Sequence, residues 1–195
     1  MGPLTALGAA ACVGFLVVFG IDGWTRPGYR PRRHPVSALA LGPRGWLQTA
    51  NFLLSGLCIT AGAFGAWNAA PMLALGIAVL GIALVASGVW RMDPMRGYPP
   101  GTPDAAPQAH SKNHARHERA GAVVFGGMPV VALIAALSDL AVPVRVVSAI
   151  GLVVVVFAAS RFATAWERDD PLTGRWQRIA LIAGLGQLAA VFATI

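Results

Sequence analysis

The chain is short of charge. Asp, Glu, Lys and Arg make up 12% of its 195 residues, against about 25% in an ordinary soluble domain. So low a share leaves too little polar surface to cover a water-facing globule. Lysine is nearly missing, since Lys112 stands alone. The arginines are scattered among connecting segments, so a nucleic-acid-binding face is not expected. Cys12 and Cys58 both fall inside apolar runs. They read as small buried hydrophobes, and no disulfide is implied. No GK[ST] phosphate loop, no GxGxxG and no HExxH pattern occurs, so the familiar nucleotide and zinc signatures are absent. The centres of the apolar runs hold no acidic residue. That argues against a proton-coupled pump, which needs one there.

What the chain has is apolar length. Hydrophobic residues make up 56% of it, and the mean hydropathy is +0.63. A run of roughly 20 apolar residues spans a bilayer as a helix. Six such runs are read, at about 3–23, 46–67, 71–90, 120–137, 142–166 and 175–195. The expected fold is all-α, a polytopic membrane protein made as one six-transmembrane-helix bundle over residues 1–195. The first run lacks a basic leading segment and is long enough to cross, so it reads as a span and not as a signal peptide. Trp24, Trp46, Trp67, Trp90, Trp166 and Trp176 all fall at expected span ends, where an amphipathic ring is favoured.

Orientation follows from the basic residues. Loop 24–45 holds Arg26, Arg30, Arg32, Arg33 and Arg44, and its four prolines exclude a long helix. Loop 91–119 holds Arg91, Arg96, Lys112, Arg116 and Arg119. Around loop 167–174 stand Arg168, Arg175 and Arg178, whereas the alternate connections hold only Arg145. Basic loops stay cytoplasmic. The expectation is a multi-pass protein of the cell membrane, with both termini outside and the three basic loops inside. Arg145 and Arg161 lie near opposite ends of the fifth span and can snorkel to headgroups, or Arg161 can turn inward toward an acid or an anionic lipid head. Gly126-Gly127-Met128-Pro129 in the fourth span either kinks it around a cavity or allows close helix packing. Asn51 and Gln187 are polar groups within spans.

The polar stretch from Arg91 to Arg119 is where chemistry is expected. It contains Asp93, Asp104, Glu118, His110, His114 and His117. The three histidines stand at i, i+4 and i+7. On a helix reaching back from the fourth span they would form one stripe, able to surround a divalent metal. Ser111 could instead cap that helix and leave His110 outside it. Asp93, and Ser37 and His34 from the first loop, belong to the same membrane face. In a partly dry setting such groups suit acid–base catalysis. The plain alternative is that these loops are polar because they meet water. Gly97 to Pro103 is a run of turn formers, either a semi-rigid lid or an ordered connector.

These residues also carry a resemblance. His34-Pro35-Val36-Ser37-Ala38-Leu39 with Gly45-Trp46 and Phe52, then Asp93-Pro94, Gly97-Tyr98-Pro99, His117 and Phe125, resemble two motifs of the family called domain of unknown function 998. The likeness covers nearly the whole chain. It implies a six-helix integral membrane protein and no assigned activity, and it marks Ser37, Asp93 and His117 as positions of interest.

Two functions stand at this point. The first is a membrane enzyme acting at the cytoplasmic face on a lipid, isoprenoid or other amphiphile, by acid–base or metal-assisted chemistry. Ser37, Asp93, His114 and His117 would be catalytic. His34, Arg91 and Arg175 would bind substrate, and His110, His114 and His117 would hold any metal. The second is a non-catalytic small transporter, lipid binder or accessory subunit with a midplane cavity lined by Asn51, Gln187 and the fourth-span kink. Haem between spans is a weaker third, because the histidines lie at the rim.

Overall fold

The computed structural model describes residues 1–195. It holds six α-helices: α1 Pro3–Thr25, α2 Gly45–Ala66, α3 Pro71–Val89, α4 Lys112–Leu137, α5 Val142–Glu167 and α6 Thr173–Phe192. A 3₁₀ helix, Val36–Ala40, lies in the first loop. Proline in the first turn opens α1, α3 and α5, where its fixed φ suits the helix and no needed N–H is lost. α4 starts well before the apolar run at 120. The Ser111 hydroxyl accepts the His114 N–H at 3.1 Å, capping the helix and leaving His110 outside it. Pro129 lies within α4, and the helix continues through it.

Five helices, α1 to α5, are long and apolar enough to cross a membrane. α6 carries Arg175, Gln177, Arg178 and Gln187 in its 20 residues and is not among them. Each helix packs on the next in the chain. α6 closes the ring on α1 and also touches α4. Close approach depends on glycine where α2 crosses α3. A Cβ on Gly56 would stand 2.6 Å from the Gly81 carbonyl oxygen.

The distribution of polarity is that of a protein whose solvent is hydrocarbon. Val13, Val17, Leu54, Phe64, Ile82, Val153 and Phe157 face outward. Gln48, Asn51, Ser148 and Gln187 are buried. Inside, most of these groups bond to one another, because lipid offers no partner, although Gln48 Nε2 has none. Asn51 Nδ2 donates to Phe15 O at 3.2 Å, and Gln187 Nε2 donates to the Ser148 hydroxyl at 3.1 Å.

The loops after α1, α3 and α5 meet at one end of the bundle as an ordered cap. Asp22, at the end of α1, has a fully buried carboxylate paired with Arg26 and with Arg44. Burying one charge alone costs several kcal/mol, so the pairing is required. Arg26 also donates to Leu39 O at 2.8 Å, Leu41 O at 2.9 Å and Arg44 O at 2.9 Å, winding the first loop around one guanidinium. Arg178 reaches the Tyr29 hydroxyl and Pro31 O from α6. Met95 to Tyr98 forms a tight turn with Arg96 at φ 57° and Gly97 at φ 77°, the left-handed pair such a turn demands. It seats the buried Tyr98 ring against Tyr29 and His34. The Gly97–Pro103 segment is thus an anchored connector.

Candidate functional site

A cleft of about 240 Å³ opens just under the cap, between α4 and α5. Gly121, Ala122 and Phe125 of α4 face Ala159, Phe162, Ala163 and Trp166 of α5. Small residues leave the gap, and nothing lies within 4 Å of a Cβ built on Gly121. Ala122 and Ala163 are exposed at its rim, so the cleft opens sideways through the apolar surface. Its inner wall is polar: Ser37 from the 3₁₀ helix, Gln177 from α6, and His114, His117 and Glu118 from α4.

The two histidines present opposite faces of imidazole chemistry. His114 is fully buried. Its Nδ1 accepts the Asp93 backbone N–H at 3.0 Å, which assigns the proton to Nε2. That Nε2 is 3.2 Å from Glu118 Oε1, yet poorly aligned, so it has no well-directed acceptor. His117 has Nδ1 between two carbonyls, Ser87 O at 3.1 Å and Trp90 O at 2.8 Å. Carbonyls only accept, so the His117 proton is on Nδ1. Its Nε2 keeps a free lone pair on the cavity side. Glu118 also receives the Trp166 indole N–H at 3.3 Å. Gln177 Oε1 accepts the Val36 N–H at 2.5 Å, leaving the amide NH₂ without a protein partner.

The expected site residues divide sharply. Ser37, His114 and His117 line the cleft. Asp93 does not. Its carboxylate accepts the Ser111 N–H at 2.8 Å and the Ser111 hydroxyl at 2.6 Å, and its backbone N–H fixes the His114 tautomer. It positions the helix start and stays outside the cavity. Burial works to raise the Asp93 carboxyl, but the two Ser111 hydrogen bonds and the neighbouring histidines hold it below its ordinary value. His34 also lies elsewhere. Nδ1 accepts the Arg30 N–H at 2.9 Å and Nε2 donates to Arg96 O at 3.0 Å. Nδ1 closes a turn within the first loop, Nε2 ties that loop to the central one, and no ring nitrogen is left to bind substrate. Arg91 and Arg175 are exposed and line no part of the cleft. Asn51 and Gln187 are likewise spent on internal bonds, with neither lining a larger cavity.

The three-histidine metal set is not assembled. Ligand atoms of Asp93, His110 and His114 lie within 4.8 Å of one another, and His117 is not part of that cluster. The His110 and His114 rings stack at 4.1 Å and 8°. A metal must lie in the plane of each imidazole that ligates it, and two stacked planes share no such point. One ring would have to turn before both could hold an ion.

Sequence reading gave no site role to four residues: Glu118, Gln177, Trp166 and Arg96. Glu118 was counted in the polar stretch without a role, although it stands at i+4 from His114, a spacing that brings the two together on a helix. Gln177 and Trp166 reach the cleft from distant segments and left no local signal. Arg96 is 5% exposed and sits 4.2 Å over the Trp166 ring with Asp169 at 2.9 Å. Burial lowers its guanidinium against the pull of Asp169. It braces the outer side of Trp166.

No curated protein and no solved structure matches this chain. The family model described as "Protein of unknown function (DUF998)" matches residues 9–194, nearly the full length and in keeping with the motif resemblance. The chain belongs to that family.

Proposed function

We propose that this is a membrane-embedded enzyme that moves protons on the polar head of an amphiphile drawn sideways from the lipid phase. In this reading α6 crosses with the other five helices. The basic loops and the cleft face the cytoplasm of the cell membrane, and both termini lie outside. The bias of arginine toward the loops after α1, α3 and α5 supports that orientation.

The observation that carries the proposal is the pair of imidazoles in opposite tautomers on one laterally open cleft. His117 Nε2 is the base: it takes a proton from a hydroxyl, an ammonium or a water on the substrate head. The imidazolium so formed is steadied by the two carbonyls that receive its Nδ1–H. His114 Nε2–H is buried beside Glu118 Oε1 at 3.2 Å, so it acts through that carboxylate, keeping Glu118 at the rim of the cleft near the base. The Gln177 amide and Ser37 hydroxyl orient the head. Phe125 and Phe162 take the apolar chain.

The wall also speaks to the class of head. No arginine or lysine lines the cleft, and Glu118 is its one formally charged side chain apart from the histidines. A phosphate would meet no cation there. A hydroxyl or amine head fits.

The test is to identify amphiphiles that copurify. Wild type, His117→Gln and Gly121→Phe are purified in mild detergent from one host and their bound lipids are analysed by mass spectrometry. The expected result is a hydroxyl- or amine-headed amphiphile enriched on His117→Gln as unconverted substrate and lost from Gly121→Phe. Identical lipids on all three would overturn the reading. Equal binding on wild type and His117→Gln, without conversion, would leave a lipid binder.

A further inference from the structure

α4 has a second flank. Opposite the cleft, a groove of about 420 Å³ runs between α3 and α4. Its floor and walls are apolar, with Val79, Ile82 and Ala86 on α3. Its mouth is basic. Arg116 and Arg119 stand one turn apart on α4, both exposed, and Arg116 lies 5.7 Å over the Trp90 ring. No acidic residue lines the groove, and neither arginine belongs to any ion pair. We propose that this groove binds an anionic phospholipid, with the phosphate between Arg116 and Arg119 and one acyl chain along α3.

Geometry and charge agree on that occupant. α3 runs from Val79 to Val89 over about 15 Å of helix, with Trp90 just beyond its end, so apolar wall and cationic mouth lie at different depths. Trp90 marks the level where amphipathic rings meet headgroups. Two unpaired guanidiniums at that level attract a phosphate, and arginine binds it in bidentate fashion. The proposal is independent of the chemistry assigned to the cleft, because it uses the other face of α4 and none of the same side chains.

Native mass spectrometry of the detergent-solubilised protein gives the test. Phosphatidylglycerol and phosphatidylcholine with identical chains are titrated separately. Wild type is expected to favour phosphatidylglycerol. Arg116→Gln and Arg119→Gln should each lower that preference about fivefold, and the double variant should lose it, given the usual gain per basic residue at an anionic surface. Ala86→Phe, which fills the apolar wall and leaves both arginines in place, should lower retention of both lipids. Equal binding of the two lipids by wild type, or an unchanged preference in the double variant, overturns the proposal. So does displacement of phosphatidylglycerol by millimolar inorganic phosphate with no effect of Ala86→Phe, which would make the site one for free phosphate. Arg116 and Arg119 are exposed and Ala86 is half-buried, and an unaltered melting curve of each variant confirms its fold.

Discussion

The two ends of the bundle differ in kind. At one end the connections are brief: Trp67–Ala70 joins α2 to α3 and Ser138–Ala141 joins α4 to α5. Asp139 is exposed there and Arg145 donates to Ala136 O at 3.2 Å. At the other end three loops interlock. Asp22, Arg26, His34 and Arg96 are buried among them, and the cleft lies directly beneath. A bundle of apolar rods needs no such cap to cross lipid. The comparison teaches that the capped end holds a defined arrangement of polar groups, and the opposite end only turns the chain around.

The largest expected break in that comparison is chemical. Once a substrate is in hand, His117→Gln should lower turnover at least 100-fold, the low end for losing a positioned base, measured at saturating substrate. Next comes the ion cluster. Asp22→Asn leaves Arg26 buried without its counter-charge and should cost about 3–5 kcal/mol, read as a large drop in thermal midpoint in detergent. A midpoint like that of wild type would mean the cap is not what holds this end together.

Ser111→Ala removes the cap of α4 and one partner of Asp93. It should cost about 1 kcal/mol and raise hydrogen exchange in the first turn of α4 above that of the apolar part. A smaller effect depends on pH. Burial lowers His34 from its ordinary value of 6.5, against the pull of its bond to Arg96 O. The folded protein therefore binds fewer protons than the unfolded chain below that value. The resulting stability is complete above pH 6.5 and is lost as pH falls toward the folded value. Melting temperature should decline over that window, and His34→Gln should flatten the His34 part of the decline. Smallest of all is Asp139→Ala at the opposite end, where no resolvable change in midpoint is expected.

Much of this architecture was legible in composition. Apolar runs located α1, α2, α3 and α5 to within a few residues, because hydrocarbon demands length and little else. The start of α4 lies outside the apolar run, since Lys112 to Arg119 is polar, and it was legible only through Ser111 as a possible cap, which the structure bears out. Ser37, His114 and His117, expected at one membrane face, line one cleft, and the histidines stood out because the chain has only four. Asp93 lies near these residues but outside the cleft, where its backbone N–H bonds His114 and its carboxylate bonds Ser111. His34, Arg91 and Arg175 were placed at the same membrane face and line no part of this cleft. A face is wide, and which side chain turns into a cleft depends on partners such as Arg30 and Arg96 that are fixed only in three dimensions. Asp22 drew no expectation from the sequence, because its two arginines are 4 and 22 residues away.

The central claim is that His114 and His117 carry their protons on opposite ring nitrogens. Two-bond nitrogen–proton NMR of histidine-labelled protein in micelles, near pH 7.5, reads this without a substrate. The expected spectrum assigns His114 as the Nε2–H form and His117 as the Nδ1–H form, each identified by its absence in the corresponding glutamine variant. Both rings in the same tautomer, or His117 protonated on both nitrogens at that pH, would contradict the account and remove its base.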